Sequence, residues 1–223
     1  QKWQLPVLVV PNGSPRHPAA EVTEIIYPSE LGEQKILYCP SCGYTANRAS
    51  ARFFRGDALK EDLLPLEEVH TPGAHSIQAL ADYLQIKPSR TAKAVLLVAS
   101  TSRSRDPQTS PAEEFIFAVI RGDLEMDEDK LAGLLGADSL RPASESEIRA
   151  AGAEPGYASP VGLKDIRVVL DESIPLSTNL VAGANRPDYH LRNVNFGRDY
   201  TAGKTADIAV ACEGAPCLQC RTP

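Results

Sequence analysis

Four of the five cysteines stand in two Cys-x-x-Cys pairs, Cys39/Cys42 and Cys217/Cys220. Each pair offers two thiolates with the bite of a tetrahedral zinc ion, and Gly43 behind the first permits the tight knuckle turn such a site uses. The pairs are separated by 174 residues, where a zinc ribbon leaves a few tens. The spacing makes sense if a whole domain is inserted between the two halves of a ribbon, because a shared metal would hold the entry and exit of the insertion together. The same residues also fit a metal-free remnant of a ribbon. The fifth, Cys212, follows an apolar run and reads as packing.

A second set of polar residues lies between the pairs. Lys93 stands at the mouth of the apolar run 94–98, where a solvated edge lysine and a functional cation look alike. Residues 156–160, Gly156-Tyr157-Ala158-Ser159-Pro160, form a Gly-x-x-x-Pro loop whose backbone N–H groups could face an oxygen or simply make a turn. Around His190 the chain is dense in Gly, Asn and Asp, from Ala182-Gly183-Ala184-Asn185 through Asp188-Tyr189-His190 to Asn193 and Asp199. That density suits a site, although a histidine packed in a core would read the same way. There is no Gly-x-Ser-x-Gly elbow, Walker loop or His-Glu-x-x-His motif, so serine hydrolase, nucleotide-triphosphatase and metalloprotease chemistry have no support.

The elements that must position these residues follow from periodicity. Apolar positions at 77, 80, 81, 84 and 86, after Thr71-Pro72, predict a helix over 76–85. Asp127 caps a helix through Leu135 that Gly136 ends, and Ser144 opens another with Glu147 at the capping-box position. The runs 94–99 and 115–120 are short and continuously apolar, as buried strands are. The Ser- and Pro-rich stretch 100–111 between them predicts a mobile hairpin loop. Further strands are expected at 6–10, at 35–38 leading into the first knuckle, and at 166–170, 180–182 and 190–194, with a short helix over 46–54. The pattern predicts an α/β (α+β) chain: a mixed-sheet core with helices packed around it, plus a small cysteine-knuckle appendage.

Size and composition agree. The chain has 223 residues, 43% hydrophobic and 23% charged, enough for one core domain and an appendage. Its net charge of −6 argues against nucleic-acid binding by bulk electrostatics and leaves room for a local basic patch. No run approaches the roughly 18 apolar residues that span a bilayer, and the start is too short and mixed for a signal peptide, so a soluble, cytoplasmic protein without a membrane partner is expected. A strand so near the first residue also suggests a piece of a longer chain.

The ordered series Cys39-Pro40-Ser41-Cys42-Gly43-Tyr44-Thr45-Ala46-Asn47, Glu68-Val69-His70-Thr71-Pro72-Gly73-Ala74, Thr91-Ala92-Lys93, Val119-Ile120-Arg121-Gly122-Asp123, 155–163, 181–185 and Asn195-Phe196-Gly197-Arg198-Asp199 resembles bacterial-type prolyl-tRNA synthetases over about residues 35–220. The resemblance implies three parts. Residues 1–63 would be a flanking segment of the catalytic domain with the first knuckle, 64–211 an inserted editing domain similar to stand-alone aminoacyl-tRNA deacylases, and 212–223 the returning segment with the second knuckle. The implied activity is hydrolysis of Ala-tRNA(Pro), without a cofactor for the editing step; zinc would be structural, on Cys39, Cys42, Cys217 and Cys220. The implied partners are the tRNA(Pro) acceptor end, the rest of the synthetase and a homodimer mate.

By the same resemblance Lys93, the 156–160 loop with Gly156, Tyr157 and Pro160, and His190 carry catalysis. Thr71, Asp171, Gly183 and Asn185 line the substrate pocket, with Asp171 meeting the α-ammonium, and His190 gates pocket size or holds the water. Lys87, Arg90, Arg103 and Arg105 are the expected tRNA contacts. Upstream of Cys39 the chain departs from the family: Asn12-Gly13-Ser14-Pro15-Arg16-His17-Pro18 replaces its Gly-Gly-Ser and His-Glu-Phe stretch, so prolyl transfer is not expected. Two alternatives stand beside the deacylase reading. One is an inactive module that only grips the acceptor end, against which the retention of Lys93 with the Gly-x-x-x-Pro loop speaks. The other is a deacylase for another amino acid, such as cysteine.

Overall fold

The computed structural model describes residues 6–14, 17–29, 31–32, 34–59, 61–102 and 111–223. The chain starts with a hairpin of β1 (Leu8–Ser14) and β2 (His17–Ile26), then a smaller one of β3 (Ile36–Tyr38) and β4 (Thr45–Asn47) that carries the first knuckle at its turn. After β5 (Glu67–His70) comes α1 (Ile77–Leu84), and a 3-10 turn at Pro88–Arg90 leads into β6 (Ala92–Thr101). Then follow β7 (Ala112–Arg121), α2 (Glu128–Leu135), β8 (Ser139–Pro142), α3 (Glu145–Ala150), β9 (Arg167–Asp171), β10 (Leu180–Gly183), β11 (Tyr189–Val194) and β12 (Lys204–Ala206).

Five strands make the main sheet in the order β12-β9-β7-β6-β8. The β12/β9 and β9/β7 pairs are parallel, and β7/β6 and β6/β8 are antiparallel. The apolar run of β7 is buried on both sides because the pleat divides it. Phe117 and Val119 point into one layer with Val168 and Leu170, while Ile116 and Ala118 point into the other with Leu97, Ala99 and Val169. Burying one such side chain stabilises the fold by about 1.5–3 kcal/mol. A second sheet, β10-β11-β5, covers the first layer through Leu180, Ala182 and Val194, and α2 covers the other through Leu131. Helix α1 closes on the second sheet through Leu80, against Ala74 and Val181.

The helix starts follow their caps. Ser76 accepts from the Ala79 N–H at 3.1 Å, Asp127 from Lys130 at 3.1 Å, and Ser144 with Glu147 forms the full capping box. The expected helix over 46–54 does not form. Ala46 belongs to β4, and the Asn47 side chain accepts from the Ser50 N–H at 2.9 Å, a local turn that competes with helix. Phe53 then runs extended and bridges Cys217. The hairpin between β6 and β7 is as expected, and most of its loop, 103–110, lies outside the described residues.

Candidate active site

Lys93 follows Ala92 at the start of β6 and stands opposite Ile120 of β7. Its side chain is 22% exposed, and its Nζ lies 2.9 Å from Oε2 of Glu125, a carboxylate 82% exposed. In register terms His190 on β11 lies between Val69 of β5 and Gly183 of β10. Its Nδ1 is 2.6 Å from the Thr71 hydroxyl. Burial pushes the imidazole down to about 4, so it is neutral at pH 7.

The 156–160 loop packs directly on β10. A Cβ on Gly183 would fall 2.0 Å from the Tyr157 carbonyl oxygen, which explains the glycine there. Asn185, at φ 53°, secures the loop from below. Its backbone N–H donates to the Tyr157 carbonyl at 2.9 Å, and its side chain accepts from the Ser159 N–H at 2.9 Å while donating to the Ser159 and Val161 carbonyls at 2.9 and 3.1 Å. Gly156 turns the loop with φ 81°.

Lys93, Gly156, Ala158, Gly183 and His190 line one cleft of about 510 Å³, whose remaining wall is the start of α1 around His75 and Gln78. A cation, a backbone loop and a neutral histidine thus face a common space large enough for an aminoacyl group and the sugar that carries it. Thr71, fully buried, reaches the cleft only through His190, and Asn185 acts on the loop. Pro160 faces a small apolar void beneath the loop, shared with Ala92 and Leu180. The Tyr157 ring is buried behind the cleft wall, with centroids 5.2 Å from His75 and 5.5 Å from His190.

Asp171 is elsewhere, which corrects the expectation that it meets a substrate ammonium. It is fully buried, its two oxygens taken by Arg55 at 3.2 Å each, by the Ser173 N–H at 2.8 Å and by the Ile208 N–H at 3.1 Å. Burial alone would raise its carboxyl, but Arg55 beside it holds it below the usual carboxylate range. Of the expected tRNA contacts, Lys87 is exposed just before the 3-10 turn, and Arg90 is engaged with Glu61 at 3.0 and 2.9 Å. Arg103 and Arg105 lie outside the described residues.

Glu125 and His75 line the cleft without having stood out in the sequence. Glu125 is one acidic residue in an acidic stretch and becomes visible only when β6 and β7 pair. Asp188 was legible as part of the polar stretch before His190, but its partners come from distant segments.

At the other end the two cysteine pairs meet. The four sulfur atoms all lie within 4.8 Å of one another, with Cys39 to Cys220 at 3.5 Å and Cys42 to Cys217 at 3.6 Å.

The profile of the aminoacyl-tRNA editing domain family matches residues 71–200. The chain is 47% identical over 197 residues to the proline--tRNA ligase of Dehalococcoides mccartyi (strain ATCC BAA-2266 / KCTC 15142 / 195), a match covering 88% of this chain and 32% of that protein. With the proline--tRNA ligase of Thermoanaerobacter sp. (strain X514) it shares 35% over 223 residues, 98% of this chain and 37% of the relative. The chain therefore spans about a third of the length of these curated relatives. Among solved structures, a designed scaffold for presenting linear epitopes has the same fold over 66% of this chain and 88% of its own, at a TM-score of 0.51 and 16% identity.

Proposed function

Because the chain belongs to the aminoacyl-tRNA editing domain family, we propose that it hydrolyses the ester of mischarged tRNA(Pro), releasing alanine from Ala-tRNA(Pro), within a prolyl-tRNA synthetase of which it is one part. The carrying observation is that Lys93, the 156–160 loop and His190 share one cleft. A site that activates proline rejects the smaller alanine weakly, since a missing methylene is worth only about 1–3 kcal/mol, and a second, hydrolytic site removes the error.

In this reading Lys93 meets the phosphate or ester oxygen at the 3′ end. Its Glu125 partner is largely exposed, and such pairs are worth about 0–1 kcal/mol, so an incoming phosphate displaces the carboxylate at little cost. Backbone donors of the loop stabilise the oxyanion as water attacks the ester carbon. The carbon–oxygen bond to the ribose then breaks and a proton from the water passes to the leaving ribose oxygen. The neutral His190, fixed by Thr71, shapes the pocket. The four cysteines would hold a structural zinc: about 2.3 Å Zn–S bonds place tetrahedral sulfurs about 3.8 Å apart, close to the observed separations. The work would be done in the cytoplasm; among the described residues no helix is long and apolar enough to cross a membrane.

The test is a deacylation assay on Ala-, Cys- and Pro-tRNA(Pro). The wild-type chain should cleave the alanyl ester fastest, and Lys93→Ala should slow it about a hundredfold, the roughly 2–4 kcal/mol that removal of an oxyanion-stabilising group costs. Equal rates for wild type and Lys93→Ala would return the lysine to an edge role. Cleavage of the cysteinyl ester alone would change the substrate. Tight binding without turnover would favour an inactive module.

A further inference from the structure

Asp188 joins three segments that are far apart in sequence. Its Oδ1 accepts the Tyr157 hydroxyl at 2.7 Å and the Gly73 N–H at 2.9 Å, and its backbone carbonyl accepts the Thr71 N–H at 2.8 Å. It does so in a left-handed conformation, φ 62°, which is strained for an L-residue and is kept where surrounding contacts fix it. Through Tyr157 it holds the ring that stands between His75 and His190, and through Gly73 and Thr71 it holds the segment whose hydroxyl orients His190. Both His75 and His190 are walls of the cleft.

We propose that Asp188 is a positioning residue that sets the width of the amino-acid pocket, by tying Tyr157 and the Thr71–Gly73 segment into a fixed wall behind His190. This rests on the deacylase reading above and names the part of the chain that makes it selective. The wall is stiff because both bonds to Oδ1 converge on one oxygen of a carboxylate, and hydrogen bonds to a charged acceptor are the stronger kind. With the strap cut, the Tyr157 ring and His190 gain freedom to move apart, and a proline side chain, two methylenes larger than alanine, is admitted.

The test compares Tyr157→Phe, which keeps the ring and loses the hydroxyl, with Asp188→Ala, which loses the strap, and Asp188→Asn, which keeps an accepting oxygen. The readout is the ratio of kcat/KM for Ala-tRNA(Pro) over Pro-tRNA(Pro). Tyr157→Phe and Asp188→Ala should each lower the ratio at least tenfold, the smallest discrimination a methylene normally carries. Their combination should be no worse than either alone, and Asp188→Asn should restore most of the ratio. If both rates fall together and the ratio stays at its wild-type value, Asp188 only supports the fold and the proposal is overturned.

A wild-type chain that cleaves neither ester would sink the deacylase reading instead. The strap is then tested by titrating the same four proteins with 3′-(L-alanylamino)-3′-deoxyadenosine and its L-prolyl counterpart, which cannot be hydrolysed. A shift of preference toward the prolyl compound in Tyr157→Phe and Asp188→Ala supports the strap, and an unchanged preference overturns it.

Discussion

His190 is uncharged near neutral pH because it is buried. Burial lowers it to about 4, against roughly 6.5 in an unfolded chain, and this has two consequences. The alanyl deacylation rate should show no inflection from His190 between pH 6 and 8. Stability should behave differently: well above pH 6.5 the imidazole is neutral in both states and contributes nothing to pH dependence. As pH falls from about 6.5 to 4 the unfolded chain takes up a proton that the folded chain refuses, so stability declines with acid across that window. Replacement by glutamine should flatten that limb of a urea-midpoint-versus-pH plot. His190→Ala should enlarge the pocket, raising hydrolysis of Pro-tRNA(Pro) relative to Ala-tRNA(Pro) at least tenfold; a loss of both activities with unchanged preference would mean that the ring serves the chemistry rather than the fit.

Between β10 and the 156–160 loop the fit is set by Gly183, where a methyl group would meet backbone rather than a movable side chain. Gly183→Ala should therefore displace the loop and reduce deacylation and melting temperature together. Asn185→Ala should act more gently, removing three side-chain hydrogen bonds to the loop and costing about 1–3 kcal/mol, measurable as a lower urea midpoint. These elements were unequally legible in the sequence. Helices α1, α2 and α3 announce themselves, because capping is a local interaction between residues three apart. The runs of β6 and β7 were equally plain. Strands β5, β8 and β12 have only three or four residues each and lack the apolar run that marks the equally short β3 and β10; they exist because a neighbouring strand edge offers partners. The short helix expected over 46–54 failed for the complementary reason: Ala46 and Ala51 are buried by contacts with Ile120 and Ala209 of the main body, not by a helical face. At the site, Lys93 and His190 could be picked out by type and place. Asp171 could not be placed, since a carboxylate at a strand end reads alike whether it faces a ligand or a buried arginine.

The appendage and the main body are locked together by buried charge. Arg55, reaching in from the appendage side, pairs with Asp171 and Asp207, while Lys130 of α2 donates to Asp207 at 2.9 Å and to the Ala51 and Ala209 carbonyls at 2.6 and 2.8 Å. Each of the three ammonium protons has an acceptor. Lys130→Met should leave the Ala51 and Ala209 carbonyls short of a donor, with Asp207 still paired to Arg55, and destabilise the chain by about 1–3 kcal/mol, the range for a buried group left without its partner, read from the urea midpoint. Lys130→Arg, longer and planar, should recover only part of it. A change under 1 kcal/mol in Lys130→Met would show that the joint rests on the Arg55 pairs and the apolar contacts around Phe53 and Ile120 without Lys130.

The meeting of Cys39 and Cys42 with Cys217 and Cys220 also dictates an order of events in time. Closing a flexible loop of the 174 residues between the pairs costs about 4–5 kcal/mol of chain entropy, a cost that is already met once the main sheet has formed. A sheet that forms first would deliver both pairs to one place, and the cluster would then be a latch that shuts on a finished body. Refolding followed at once by far-ultraviolet dichroism and by pulses of a chromogenic thiol reagent should show secondary structure in the fast phase and protected thiols only after it, and a chain with both pairs changed to serine should form its sheet at nearly the same rate.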